Sequence, residues 1–436
     1  MASSKGRKLP RLIITILICL VLIIGASSCG TDIAPQDSSG SSSGSPPVSD
    51  TDPIETGSSS PEVPSDTDTG NEVSPETPME SETETAQSPD PTPEIKLVPY
   101  DGVVEHLFFH EVIAFPEITF GGVEGQRGYD NYMVTVSEYT KILHSMHAKG
   151  FILVNLNDVW SEYTNENGVR RMKKNTLMLP EGKKPLVLSF DDINFYDYMI
   201  NDGFMEKLII GDDGEIWATG FDVSGKHITT QDYTVVTVLD KFVKEHPDFS
   251  LNGVKGCIAL TGYQGILGYR TQADKNNTSE EFRLNRMQEA ARVRPVIQKL
   301  KDTGWYFASH SYGHIDLNNA SFNGMKNDAD RWMDEVGSLI GPTTLFIYPF
   351  GSRLDGGDVN KTGPAFEYYH ELGFRVFASV GYEPYSKIKS DICAVICDRM
   401  HSDGMTLRNE RERYMKFYDA AEVFDPYRPA QYGKSW

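Results

Sequence analysis

Short apolar runs alternate with amphipathic stretches through most of this chain. The runs at 103–109, 151–154, 186–190, 256–260, 305–308, 344–348 and 374–379 are too short for helices and read as buried strands. Between them, apolar residues recur at helical spacing. In 137–149, Tyr139, Ile142, Leu143 and Met146 share one face, with Ser137 as the expected cap and Gly150 as the stop. Further helices are expected at 155–163, 234–245, 279–303, 323–339 and 362–372. This alternation predicts an α/β protein with a parallel sheet. About seven strands, with chemistry-bearing residues at their C-terminal ends, predict a distorted (β/α) barrel, closed or nearly so. A polar excursion at 196–232 interrupts the pattern; Gly211-Asp212-Asp213-Gly214-Glu215 inside it reads as a hairpin turn. With Trp217 and several tyrosines nearby, it is either a binding groove or a tolerated surface insertion.

The two ends of the chain differ from this pattern. Lys5, Arg7, Lys8 and Arg11 precede a run of 13 residues, 12–24, that is almost wholly apolar, after which Gly25, Ala26, Ser27 and Ser28 lead to Cys29. Such a run is short for a spanning helix, which needs about 20 residues, and reads as an export signal. The small residues before Cys29 resemble a lipobox, with Ala26 where leucine is usual, so residues 1–29 are expected to be a lipoprotein-type signal with lipidation at Cys29. Plain secretion and an uncleaved anchor are the alternatives. Residues 30–95 are rich in Ser, Thr, Pro, Gly and acid groups and cannot bury enough surface to fold. They predict a solvated tether that lifts a domain off a membrane.

The formal net charge is -21, to which this tether contributes strongly. Nucleic acid is not an expected partner of so acidic a chain. What remains, 96–436, is long enough for one large domain. Cys257, Cys393 and Cys397 lie within it. Residues 392–396 alternate as a strand does, which sets Cys393 and Cys397 more than about 12 Å apart and beyond disulfide reach. Free, buried thiols are expected.

Two segments carry the chemistry. The apolar run 186–190 ends in Asp191-Asp192, and 305–308 is followed by Ser309-His310-Ser311-Tyr312-Gly313-His314. On a helical turn, histidines four apart share one face and reach one ion. One carboxylate would complete a His-His-Asp set, and the other would stay free to take a proton from water. These segments, in this order, resemble the polysaccharide deacetylase or NodB-homology domain of the carbohydrate esterases. The resemblance implies that Asp192, His310 and His314 hold a divalent metal, commonly zinc, and that Asp191 is the catalytic base.

It also implies that Ile347-Tyr348-Pro349-Phe350-Gly351 is the family's oxyanion turn, with the Phe350 backbone N–H as donor and Tyr348 at the substrate side. Ile347 stands where the family has arginine, leaving Arg270 and Arg399 as candidates to orient the base. His401 falls near the family's acid histidine, as general acid or as a rim residue; the family's acidic segment that tunes it has no match at 378–381. His110 corresponds to the histidine closing the first strand, in a packing or rim role. The expected reaction is hydrolysis of N-acetyl groups on a cell-surface or extracellular polysaccharide. O-acetyl ester hydrolysis, or glycan binding by a degenerate site, are the alternatives.

Overall fold

The computed structural model describes residues 96–436. The expectations for 1–29, for the tether 30–95 and for Cys29 lie outside the described residues. Strand β1 (Glu105–Phe109) is followed by helix α1 (Val136–Ala148), β2 (Phe151–Leu153) and β3 (Lys184–Asp191). The 196–232 excursion forms β4 (Met205–Ile210), β5 (Ile216–Phe221) and β6 (His227–Thr230). Then come α2 (Val235–Glu245), β7 (Cys257–Leu260), α3 (Glu280–Asp302), β8 (Tyr306–Ser309) and α4 (Phe322–Trp332). The chain goes on through β9 (Leu345–Ile347), α5 (Pro364–Glu371), β10 (Val376–Val380), β11 (Val395–His401) and α6 (Gly404–Asn409).

The strands β3, β7, β8, β9, β10, β11 and β1 pair in that order, all parallel, and β1 returns to β3. The ring is a closed seven-strand barrel. Strand β2 pairs with the first half of β3 (Lys184, Pro185, Leu186), below the stretch that β7 takes (Ser189, Phe190, Asp191). Alternation decides the contents. Leu186, Leu188 and Phe190 face the helices, whereas Val187 packs with Cys257, Ala259, Ala308, Leu345, Ile347, Val376, Ala378 and Cys397 in a second apolar cluster. On the same face of β3 as Val187, Ser189 and Asp191 follow, so the barrel becomes polar toward the C-terminal end of the strand.

Several boundaries differ from expectation for identifiable reasons. Helix α1 is capped by Thr135 rather than Ser137: Thr135 Oγ1 accepts from Glu138 N, and Glu138 returns a carboxylate to Thr135 N. The expected helix at 155–163 stops at Val159, because Trp160–Thr164 pairs antiparallel with Arg170–Lys174. The helix expected at 323–339 widens into a π turn at Met333–Gly337. That turn lies between Trp332, whose indole donates to Leu260 O at 2.8 Å, and a last helical turn at Ser338–Ile340. The 196–232 segment is a three-stranded antiparallel sheet, with the expected hairpin turn closed by Gly211 N to Glu215 O at 2.9 Å. All three cysteines of the folded part are free and buried.

The C-terminal segment is fastened by buried ion pairs. Arg428 binds Glu138 and Asp130, and Arg408 of α6 binds Asp130 through two nitrogens. Removing one member of such a set leaves an uncompensated buried charge, at a cost of about 3–5 kcal/mol. The clamp holds α6, and so the end of β11, against the loop after β1. No helix among the described residues is long and apolar enough to cross a membrane.

Candidate metal centre

The two carboxylates leave β3 in different directions. Asp191 is the last residue of the strand and points into the barrel, 2% exposed. Asp192 turns with φ 61°, a left-handed conformation that aspartate tolerates better than most residues, while its N–H donates to Ala259 O at 3.1 Å. Its side chain is thereby turned across the barrel mouth toward β8.

His310 follows β8 with its N–H on Leu260 O at 3.0 Å. Its Nδ1 lies 2.9 Å from Ile347 O, which assigns the proton to Nδ1 and leaves Nε2 as a lone pair. The expected helical turn between the histidines is absent. Ser311 and His314 have φ of 55° and 50°, and Tyr312 N and Gly313 N both donate to the Asp328 carboxylate at 2.8 and 2.7 Å. A tight loop replaces the helix because Asp328, on α4, satisfies the backbone groups that a helix would have satisfied internally. The imidazoles still meet, with ring centroids 4.9 Å apart.

Asp192, His310 and His314 each offer one donor atom, and these atoms lie within 4.8 Å of one another. Asp192 Oδ2 is 3.9 Å from His310 Nε2 and 3.5 Å from His314 Nε2. The other oxygen, Oδ1, accepts from Tyr196 OH at 2.7 Å, and Tyr196 is shared with Thr261 at 2.6 Å. Burial pushes His314 down to about 4, against the pull of Asp192, so it is a neutral ligand near pH 7. Two imidazoles and one oriented carboxylate fit a divalent ion, for which donors at about 2.0–2.2 Å are usual.

Asp191 has a different partner. Arg399 of β11, 0% exposed, donates Nη1 to Oδ1 at 2.7 Å and Nη2 to Oδ2 at 3.0 Å. Burial alone would raise the Asp191 carboxyl, but the charge and hydrogen bonds of Arg399, with His310, hold it well below the usual range. It stays ionised, with Oδ2 3.7 Å from His310 Nε2. Arg399 rests 4.1 Å over the Phe108 ring and also donates to Ser189 Oγ at 3.1 Å. Ser189 in turn bonds His106 Nε2 at 2.9 Å. Of the two candidate arginines, Arg399 is the one that binds Asp191. Arg270 does not reach it: its guanidinium binds Asp197, Phe195 O and Gln264 O, clipping the loop after Asp192 to the loop after β7.

The remaining candidates ring the same mouth. Phe350 has φ 56° in the turn after β9, and its ring meets His314 edge-on at 4.3 Å. Gly351 there is required, because it has φ 66° and a Cβ would approach Val380 to 2.9 Å. The Tyr348 side chain points the other way, buried in the core against Phe346 and Phe377, so it is not on the substrate side. His401 Nδ1 lies 2.8 Å from Asp403 Oδ2. Burial disfavours its charge, but Asp403 outweighs burial and raises the imidazole above its ordinary value. His110 Nδ1 is 2.9 Å from Tyr132 O. Phe108 lies between them, with His110 and His401 ring centroids at 6.0 and 6.1 Å.

No family model matches this sequence, and no curated protein does. The solved structures it resembles include polysaccharide deacetylases. The deacetylase PplD of Streptococcus pyogenes, solved with acetate, is 13% identical, with 76% of this chain and 100% of that one covered at a TM-score of 0.39. A putative polysaccharide deacetylase of Bacillus anthracis is 12% identical, with 70% and 66% covered and a TM-score of 0.37. IcaB of Ammonifex degensii is 11% identical, with 74% and 97% covered and a TM-score of 0.33.

Four contributors were not singled out in the sequence. Asp403 was legible, since Asp403 and Thr406 form a capping box at the start of α6, two residues after His401. Tyr196 carried only its closeness to Asp192. Ser189 and His106 carried no signal, because their meeting depends on the pairing of β1 with β3.

Proposed function

We propose that this chain is a metal-dependent deacetylase that removes N-acetyl groups from a polysaccharide. The observation that carries the proposal is the division of labour between adjacent carboxylates: Asp192 faces two imidazoles, and Asp191 is bound on both oxygens by Arg399.

A divalent ion held by Asp192, His310 and His314 would polarise an acyl oxygen and make water acidic enough to attack near neutral pH. Asp191 accepts the water proton, and Arg399 keeps that carboxylate ionised and aimed until it does. The Phe350 backbone N–H donates to the acyl oxygen as its negative charge grows; one such donor contributes on the order of 100- to 1,000-fold elsewhere. His401 delivers a proton from Nε2 to the departing amine while Asp403 stabilises the imidazolium. Acetate and a free amino sugar result.

The test is acetate release from a panel of N-acetylated and O-acetylated glycans, with metal removed and restored. Release from amide substrates, abolished by chelator and by Asp192→Ala, is expected. Release from esters alone would replace the amide reading, and chelator-insensitive release would sink the metal one. The export signal and Cys29 lead us to place the enzyme on the outer face of a membrane through a lipid. Cys29→Ala should then abolish incorporation of a labelled fatty acid and free the protein into the medium.

A further inference from the structure

Two exposed tyrosines stand on opposite sides of the barrel mouth, and each is built into one half of the catalytic apparatus. Around the ring the order is β3, β7, β8, β9, β10, β11, β1. Tyr198 follows β3, whereas Tyr382 follows β10, three or four strands away in either direction. The two residues are 55% and 53% exposed.

Single exposed aromatics are ordinary on a protein surface. These two are fixed in place. Tyr198 stacks on Tyr196 at 5.5 Å and 12°, and Tyr196 stacks on Tyr263 at 4.5 Å and 9°. Tyr196 OH in turn donates to Asp192 Oδ1 at 2.7 Å. So the Tyr198 ring is held at its stacked side and stays open elsewhere, joined by one side chain to Asp192. Tyr382 is held from the other direction: Arg413 lies 4.4 Å over its ring, and the His401 ring is 6.2 Å away at 61°. Trp217 is bound instead to Asp213 within its own hairpin at 2.9 Å and is not part of this arrangement.

An immobilised ring beside a polar centre suits a partner with one apolar C–H face and a hydroxylated edge, which is what a pyranose presents; the electron-rich face of the aromatic ring attracts those C–H groups. Resting on the deacetylase reading, we infer that Tyr198 and Tyr382 are sugar-stacking positions flanking the reacting residue. The substrate is therefore a chain of three or more consecutive sugars, entered from within the polymer, with the acetyl group at the metal centre and a neighbouring ring on each tyrosine. A mouth with an aromatic on one side only would suit a chain end. The fixed geometry lowers the ordering cost of binding.

The experiment uses N-acetylglucosamine oligomers of one to six units, with kcat/KM from acetate release and affinity from titration calorimetry on the metal-loaded folded chain. The wild-type kcat/KM should rise with length up to at least three units. Tyr198→Ala and Tyr382→Ala should each lower the hexamer-to-monomer ratio by roughly two- to tenfold, the range of one aromatic contact, and Tyr198→Phe should keep it. A flat length dependence in the wild type, or a ratio unchanged in both alanine variants, overturns the inference while leaving the deacetylase reading intact. If no oligomer releases acetate, that reading fails instead, and the calorimetry decides this one: affinity that rises with length and falls in Tyr198→Ala supports it, and affinity independent of length overturns it. Should Tyr198→Ala fail to fold, Tyr382→Ala, in a separate loop, carries the test.

Discussion

The two halves of the barrel mouth are built differently. On one side, Asp192, His310 and His314 come from the ends of two strands, and their spacing along the chain already groups them. On the other, Asp191 from β3, Phe108 from β1, and Arg399 and His401 from β11 meet only because β11 pairs with β1 and β1 with β3. The first half needs correct donors and tolerates a loop where a helix was expected. The second needs an unbroken ring of strands, since its central pair, Asp191 and Arg399, is a buried ion pair whose worth depends on contact.

The contrast can be broken most severely at Asp191. On the proposed mechanism, Asp191→Asn removes the proton acceptor and should lower kcat by roughly 10²- to 10⁴-fold with metal content per chain unchanged, whereas His314→Ala should lose the metal as well. Equal metal loss in both variants would show that the carboxylates share one role.

Arg399→Met comes next. It strands Asp191 as an unpaired buried charge, and about 3–5 kcal/mol of stability should be lost in denaturant unfolding. Asp191 would also lose the charge that keeps its carboxyl low, so the acid limb of the rate profile should move to higher pH. Adding Asp191→Asn to Arg399→Met should restore part of the stability, because the stranded charge is then gone. A double variant no more stable than Arg399→Met would argue that packing over Phe108, not the ion pair, is what the arginine supplies.

A smaller effect belongs to Asp403. It raises His401 above 6.5, so the protonated acid survives to higher pH in the native protein. Asp403→Asn should draw the alkaline limb of kcat down toward or below pH 6.5, a shift readable in a pH profile. Linkage gives the matching stability statement. Because the folded His401 value is raised, its contribution is full below the unfolded value of about 6.5 and is lost as pH rises through the folded value. Asp403, held low by His401 against its own burial, contributes above about pH 4 and loses that as pH falls. The pair is therefore at its best between these limits.

The smallest effect should come from Arg270. Its ion pair with Asp197 is a third exposed on the arginine side and more on the other, so Arg270→Ala should cost less than about 1 kcal/mol and leave the acid limb in place. A shifted acid limb in Arg270→Ala would reverse the assignment of the two arginines.

How much of this could be read in the chain follows the same division. The strand segments, their parallel arrangement and the seven-strand ring were legible because buried strands are continuous apolar runs ending in abrupt polar residues. Asp192, His310 and His314 were legible as residue types at a spacing. The loop carrying the histidines was not, because Asp328, a carboxylate from α4, decides its backbone. Nor was the choice between Arg270 and Arg399, since both follow short apolar stretches and only position in the ring separates them.

By itself, then, the sequence determined the alternation of strands and helices, the donors for a divalent ion and the free thiols, all consequences of period and residue type within a few positions. Tertiary structure alone decided that Arg399 is the arginine that binds Asp191, that Tyr348 turns into the core, and that Phe108 packs against His110 and His401. Those outcomes depend on which strands become neighbours when the barrel closes. Burial then makes each charge depend on a partner far away in the chain.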